Sequence, residues 1–242
     1  MLNDSAVVQS TENGKTRTGF QDLVGIVKFQ TYVNGPHELI VSLGVIREFS
    51  RTGTAHIGAD EYGNTTPTIY VGKGFGDLPI GALRPLAITG TAGFSVADKE
   101  LKSAGPQPSN LAANATLPLT GIAAQQFNNG YSNRWVGGLS VQYSLPYLQS
   151  QVRDYRLPEF FNHLIPLVEI AYSSPASPPS NLGTQVVLAP GVIYLADTFQ
   201  VGVEALVPGN RASGTNVGVI AQFHLFFDDL LPNTLGKPLL DF

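Results

Sequence analysis

Trp135-Val136-Gly137-Gly138-Leu139-Ser140-Val141-Gln142-Tyr143-Ser144-Leu145 alternates with a period of two. Odd positions carry Trp, Gly, Leu, Val, Tyr and Leu. Even positions from Arg134 carry Arg, Val, Gly, Ser, Gln and Ser. Successive side chains of a strand point to opposite faces, so this stretch predicts a strand with one apolar and one polar face. Phe199, Val201, Val203, Ala205 and Val207 repeat the device against Gln200, Gly202 and Glu204, with Leu206 the exception. A third case sets Val217, Val219, Ala221, Phe223, Leu225 and Phe227 against Gly218, Gln222, His224 and Asp228.

Weaker alternation fills the rest of the chain. Nine strands are expected, over 23–33, 39–49, 67–75, 83–96, 135–145, 164–172, 185–194, 199–207 and 217–227. Several reach ten residues. Globular strands average nearer about 5–6 residues, whereas a tilted membrane-spanning strand needs about 9–11. Pro67, Pro85, Pro166 and Pro190 fall inside these segments, where each removes a ladder hydrogen bond and marks a bulge or a strand start.

Composition narrows the class. Only 13% of the 242 residues are charged, while 43% are hydrophobic, 26 are Gly and 17 are Pro. A mean hydropathy of +0.07 argues against a disordered chain. A net charge of -4 and a pI near 5.5 give no electrostatic basis for nucleic-acid binding. The absence of Cys excludes disulfide scaffolds, thiol catalysis and Cys-ligated metal sites. No apolar run is long enough for a transmembrane helix. An all-β fold remains, either a sandwich packed on itself or a barrel facing lipid.

The connections favour the barrel. Long polar links at 51–65, 97–130, 173–181 and 209–215 alternate with short ones at 34–37, 76–82 and 196–198. Outer-membrane barrels alternate long external loops with short periplasmic turns in this way. The link 146–163 is long where a short one is expected, and it should hold a short helix around 157–161. Phe49, Phe94, Tyr131, Trp135 and Tyr172 fall near the external strand ends. Phe75, Tyr143, Tyr147, Tyr194, Phe199 and Phe227 fall near the others, giving two aromatic girdles.

Three short segments carry a family resemblance. They are Pro67-Thr68-Ile69-Tyr70-Val71-Gly72-Lys73-Gly74-Phe75-Gly76, Pro166-Leu167-Val168-Glu169 with Ala189-Pro190-Gly191-Val192-Ile193-Tyr194, and Gln200-Val201-Gly202-Val203-Glu204-Ala205-Leu206-Val207-Pro208. From about Phe20 to Asp228 the chain resembles the Gram-negative outer-membrane proteins labelled "MetA-pathway of phenol degradation" or "transporter". The resemblance implies an antiparallel up-and-down transmembrane β-barrel in the cell outer membrane that passes small hydrophobic or aromatic compounds. It also implies contact with outer-membrane lipid and with the barrel-assembly machinery. Met1-Leu2-Asn3-Asp4-Ser5 shows no basic or apolar segment of a signal peptide, so a departure from the family is expected at this end.

Catalytic and cofactor motifs are missing from the sequence: there is no GxSxG, HExxH, P-loop or EF-hand loop. His37, His56, His163 and His224 are scattered without ligand spacing, so neither metal nor cofactor is expected, and no enzyme activity. Gly72-Lys73-Gly74-Phe75-Gly76 precedes no helix and reads as crowding relief in a twisted strand. Function is expected on the polar face. Lys28, Glu48, Arg134, Gln142 and Glu169 should line a lumen, together with Gln200, Glu204, Gln222 and His224. Val24, Ile26, Ile40, Ile46 and Leu167 share that face and suit either an apolar solute or a packed interior.

The leading expectation is a channel or transporter for small molecules. Its rivals are a soluble, secreted β-sandwich binding module of lectin or capsid type, and a closed structural barrel without transport. Residues 20–228 form the barrel domain in this reading, 1–19 a disordered stretch or partial strand, and 229–242 a tail. Counting back from the last strand places the start of the 23–33 strand on the external side, against the usual periplasmic start and even strand number. A complete barrel of about 10–12 strands is therefore expected to need sequence before residue 23. An unpaired seam should lie between residues 1–33 and 216–227.

Overall fold

A computed structural model describes residues 2–3, 8–12, 15–20, 22–54, 62–99, 133–176 and 183–230. The strands are β1 (Leu2–Asn3), β2 (Val8–Glu12), β3 (Lys15–Gly19), β4 (Leu23–Asn34), β5 (Leu39–Phe49) and β6 (Asn64–Gly74). They continue as β7 (Leu86–Ala97), β8 (Arg134–Tyr143), β9 (Leu164–Pro175), β10 (Gln185–Leu195), β11 (Phe199–Pro208) and β12 (Gly218–Leu225). One ten-stranded sheet runs in the order β1-β4-β5-β6-β7-β8-β9-β10-β11-β12, and β2 pairs with β3 in a separate hairpin. Every neighbouring pair is antiparallel. The nine long strands correspond to the nine read from alternation.

Differences concentrate at strand ends. Pro85 stands just before β7 and its carbonyl accepts from the Ser144 amide at 2.9 Å, so no ladder bond is lost there. Leu145 has left the sheet for a single helical turn, α1 (Leu145–Tyr147), in which Ser144 Oγ accepts from the Tyr147 amide at 3.2 Å. Phe227 likewise lies in α2 (Phe227–Leu230). The short helix expected at 157–161 is a 3-10 turn at Glu159–His163. Pro166 and Pro190 sit within paired strands at exposed outward positions, opposite Val192 and Val168. The links 51–65, 97–130 and 173–181 are described only at their ends, so His56 and Tyr131 lie outside the described residues, as do residues 231–242.

The register decides the faces. Glu48, Asn64, Ala97 and their equivalents share one face across successive strands, and so do Ser140, Glu169 and Ala189. Most of this face is buried, Lys28 and Ile40 being exposed, although among the described residues no second sheet and no helical layer covers it, as in a sheet that curls over one of its own faces. Its buried members are mostly polar: Ser42, Thr66, Thr68, Thr91, Ser95, Ser140 and Ser173 among them. Val24, Ile46, Tyr70, Val136, Leu167, Ala171, Val187 and Ile193 fill between them. On the other face Gly137 leaves room for the Tyr172 ring, since a Cβ there would lie 2.4 Å from it.

The sheet is consistent with a β-barrel but is not closed. Among the described residues no ladder joins β12 to β4 or to β1. Leu2–Asn3 covers only Val24 and Gly25 of β4, so the rest of that strand pairs on one side alone. The β4 edge bulges between Gln30 and Tyr32, and the Thr31 hydroxyl donates to the Val41 carbonyl across the bulge. Bulges are a usual device for twisting an edge out of reach.

Asp22 fastens the chain ahead of β4. Its buried carboxylate accepts from the Thr52 and Gly53 amides, each at 2.7 Å, beyond the end of β5. Asp22→Ala leaves both amides without that acceptor and should cost about 1–3 kcal/mol. Urea unfolding, wild type against variant, measures it; a change below a few tenths would contradict the clasp.

Candidate functional site: the buried polar face

The inner face is polar at three levels. At the long-connection end Arg134, almost fully buried, donates through Nε to Ser173 Oγ at 2.6 Å and through Nη2 to the Ser173 carbonyl at 3.2 Å. The same Nη2 reaches Gln185 Oε1 at 3.4 Å, and Gln185 Nε2 donates to the Ala212 carbonyl at 3.2 Å. Ser213 completes this rim by accepting from the Val186 amide at 2.6 Å. The chain of bonds crosses β8, β9 and β10 and reaches the link between β11 and β12. On the opposite side Glu48, also buried, accepts from the Asn64 amide group.

Mid-sheet, Glu169 and Glu204 are 0% and 1% exposed. Glu169 stands in register with Ser140 on β8 and Ala189 on β10. Glu204 pairs with Gly191 on β10 and leans over it, its Cγ 2.3 Å from where a Cβ would sit. Only Gly at position 191 admits this side chain toward β9. No carboxylate oxygen of either residue, nor the Ser140 hydroxyl, has a hydrogen-bond partner. Tyr70 and Thr91 also keep unpartnered hydroxyls on this face. Toward the short-connection end Gln200 faces His224 in register, both half-buried.

All nine residues read from the sequence as lumen-lining fall on inner-face positions of the alternation. The structure gathers Glu169 with Glu204, and Gln200 with His224. Gln142 stands beside Leu167, and Gln222 beside Gly202. Lys28 is exposed on the edge strand β4, its ammonium 5.0 Å from the Tyr70 ring centre. Arg134 is not brought to the acidic pair: six residues of β8, about 20 Å of strand, separate it from Ser140. It makes no ion pair among the described residues. Ser173 lies one residue past the expected 164–172 strand and Gln185 opens the expected 185–194 strand, so both were legible from the alternation, whereas Tyr70 and Ser213 carried no signal of their role.

The outer face has the opposite chemistry. Every strand from β4 to β12 exposes at least one large apolar side chain, from Val27 and Leu43 through Trp135, Ile170 and Val203 to Phe223. Its charged positions are Arg47 and Lys73, each close to a strand end and at opposite rims. Arg47 makes a bidentate pair with Asp98 at 2.5 and 2.7 Å and also donates to Thr65 Oγ1. Lys73 pairs with Asp77 at 3.0 Å and donates to the His37 carbonyl at 2.5 Å, while His37 Nδ1 lies 3.2 Å from Asp77. Thr65 opposite Arg47 is eight residues from Lys73 along β6, about 27 Å of strand. Between the rims the face carries no charge. Aromatic rings ring the short-connection end, with Phe160 stacked on Tyr194 at 5.6 Å, Tyr194 on Phe199 at 6.5 Å, and Phe199 against Phe223 at 5.8 Å. Phe94 and Trp135 meet edge-to-face at the other end, 4.7 Å apart.

The rim ion pairs set an acid limit. The Arg47 guanidinium holds the Asp98 carboxyl below its ordinary value of 3.8, and Lys73 with His37 does the same for Asp77. Depressed values mean that both contributions are complete above about pH 4 and disappear as the pH falls through the lowered values. Melting temperature should therefore drop more steeply below pH 4 in the wild type than in Asp98→Asn. Parallel acid curves would contradict the pairing. The effect at pH 7 is small, since solvent and salt screen exposed pairs.

No protein-family model, no curated protein and no solved structure matches this chain. No helix among the described residues is long and apolar enough to cross a membrane, which leaves crossing by strands untouched.

Proposed function

We propose that the chain forms an antiparallel β-barrel of the Gram-negative outer membrane and acts as a passive channel for small molecules, hydrophobic or aromatic ones in the manner of the family it resembles. The uncharged apolar outer belt, bounded by ion pairs at both rims, carries the reading. Along strands tilted by about 40°, the belt spans about 20 Å of membrane normal, close to the apolar band of about 25 Å on known barrels. A soluble protein rarely leaves so continuous an apolar surface in water. A sandwich would bury this face and expose the polar one, the reverse of what Val203 and Glu204 do. Aromatic rings at both strand ends suit the two lipid–water interfaces.

A closed barrel without transport is the second reading, favoured by the near-complete burial of Ser140 and Glu169. Single-channel recording in planar bilayers, with a panel of aromatic and polar solutes, separates the two. The channel reading expects discrete conductance steps, and a loss of cation preference in Glu169→Gln with Glu204→Gln, because mid-strand carboxylates then set the field in the passage. Bilayers that stay silent after verified insertion leave the closed barrel. Unchanged ion selectivity in the double variant removes the carboxylates from any path.

A further inference from the structure

The geometry points to a divalent-cation site inside the curled sheet, built from the Glu169 and Glu204 carboxylates and the Ser140 hydroxyl. Two buried carboxylates without a donor are costly, and buried charges are ordinarily paired or bound to a metal. Here five buried side-chain oxygens without a partner, those of Glu169, Glu204 and Ser140, share the inner face of β8, β9 and β11. Glu169 and Ser140 face each other in register on adjacent strands, where directly opposed side chains have Cβ atoms about 4.5–5.5 Å apart. Glu204 approaches from β11 across the side-chain-free surface of Gly191. The Ser140 hydroxyl is an independent mark of the site: the residue is fully buried and the hydroxyl has no partner beside Glu169.

The donor set identifies the ligand class. All donors are oxygen, two of them anionic, which suits a hard divalent cation and excludes soft metals that prefer thiolate or imidazole. Calcium fits better than magnesium, because side chains projecting from β8, β9 and β11 cannot impose the tight octahedron that magnesium demands. With two carboxylates the affinity belongs to the weaker calcium range, a Kd of about 10⁻⁴–10⁻³ M. Arg134, the buried cation of this face, stands about 20 Å along β8 from Ser140 and bonds Ser173 and Gln185 at the rim instead. The site requires the curled sheet and not conduction, so it stands apart from the channel reading.

The test uses the full chain in detergent micelles, stripped with chelator at neutral pH and titrated calorimetrically with calcium chloride. One saturable site per chain is expected, weakened tenfold or more in Glu169→Gln and in Glu204→Gln, and several-fold in Ser140→Ala. Calcium should raise the melting temperature of the wild type and leave that of the Glu169→Gln, Glu204→Gln double variant unmoved. Absence of saturable heat together with a calcium-independent melt overturns the site, as does undiminished binding in the Gln variants. Should the double variant not fold, Ser140→Ala and the single Gln variants decide by titration alone. A protein that binds calcium but never conducts overturns the channel and keeps this site; one that conducts without binding calcium does the reverse.

Discussion

Val203→Arg should destabilise the bilayer-inserted protein by about 2–4 kcal/mol, the cost of an arginine near the midplane on the lipid face of a barrel. Val203 is central in β11, between Val192 and Ala221, and 44% exposed. The size of the effect discriminates. At a water-facing position, a substitution touching no cap, core or ion pair stays within about 0.5 kcal/mol. The check is reversible denaturation of the protein folded into lipid vesicles, with Val203→Thr as a control for the loss of apolar surface alone. An arginine no worse than threonine would falsify the lipid-facing assignment of β11.

Arg134→Met should cost about 2–4 kcal/mol for a different reason. The variant keeps most of the volume and removes the donors that satisfy Ser173 and Gln185. Each buried acceptor left unpaired costs about 1–3 kcal/mol. Arg134→Lys should recover only part, because one ammonium cannot serve Ser173 and Gln185 with the guanidinium's fixed fork. Unfolding by guanidinium in the same vesicles measures all three. If Met were as stable as wild type, the rim would be ornamental to the fold, and the order Met below Lys below wild type is the expected result.

Much of the architecture was readable because a period of two is a strong local signal and this chain repeats it nine times. Trp135 to Tyr143 predicted both the strand and its faces, and Val203 and Glu204 fell on the sides that their neighbours dictated. Strand ends were less readable: Ser144-Leu145 continue the alternation of β8, whereas Ser144 caps the helical turn that holds Leu145 and Pro146. The polar partnerships were the least visible. Asp22 meets Thr52 and Gly53 thirty residues away, and Arg134 meets Gln185 across two strands. Such pairs depend on inter-strand register, which is set by the lengths of links and by bulges such as that at Gln30 and Tyr32. The acidic pair was placed on the right face by alternation, but its isolation from Arg134 follows only from the register of β8 against β9.

Trp135 offers the most direct test of the outer belt, because it is the chain's single tryptophan and is 56% exposed on that face near a strand end. The measurement is fluorescence quenching in vesicles made with phosphatidylcholines brominated at different depths along the acyl chain. The lipid-facing account predicts a blue-shifted emission quenched strongly by bromines near the headgroup and less by those at the bilayer centre. Emission characteristic of water, unaffected by bromine at any depth while the protein remains folded, would contradict it.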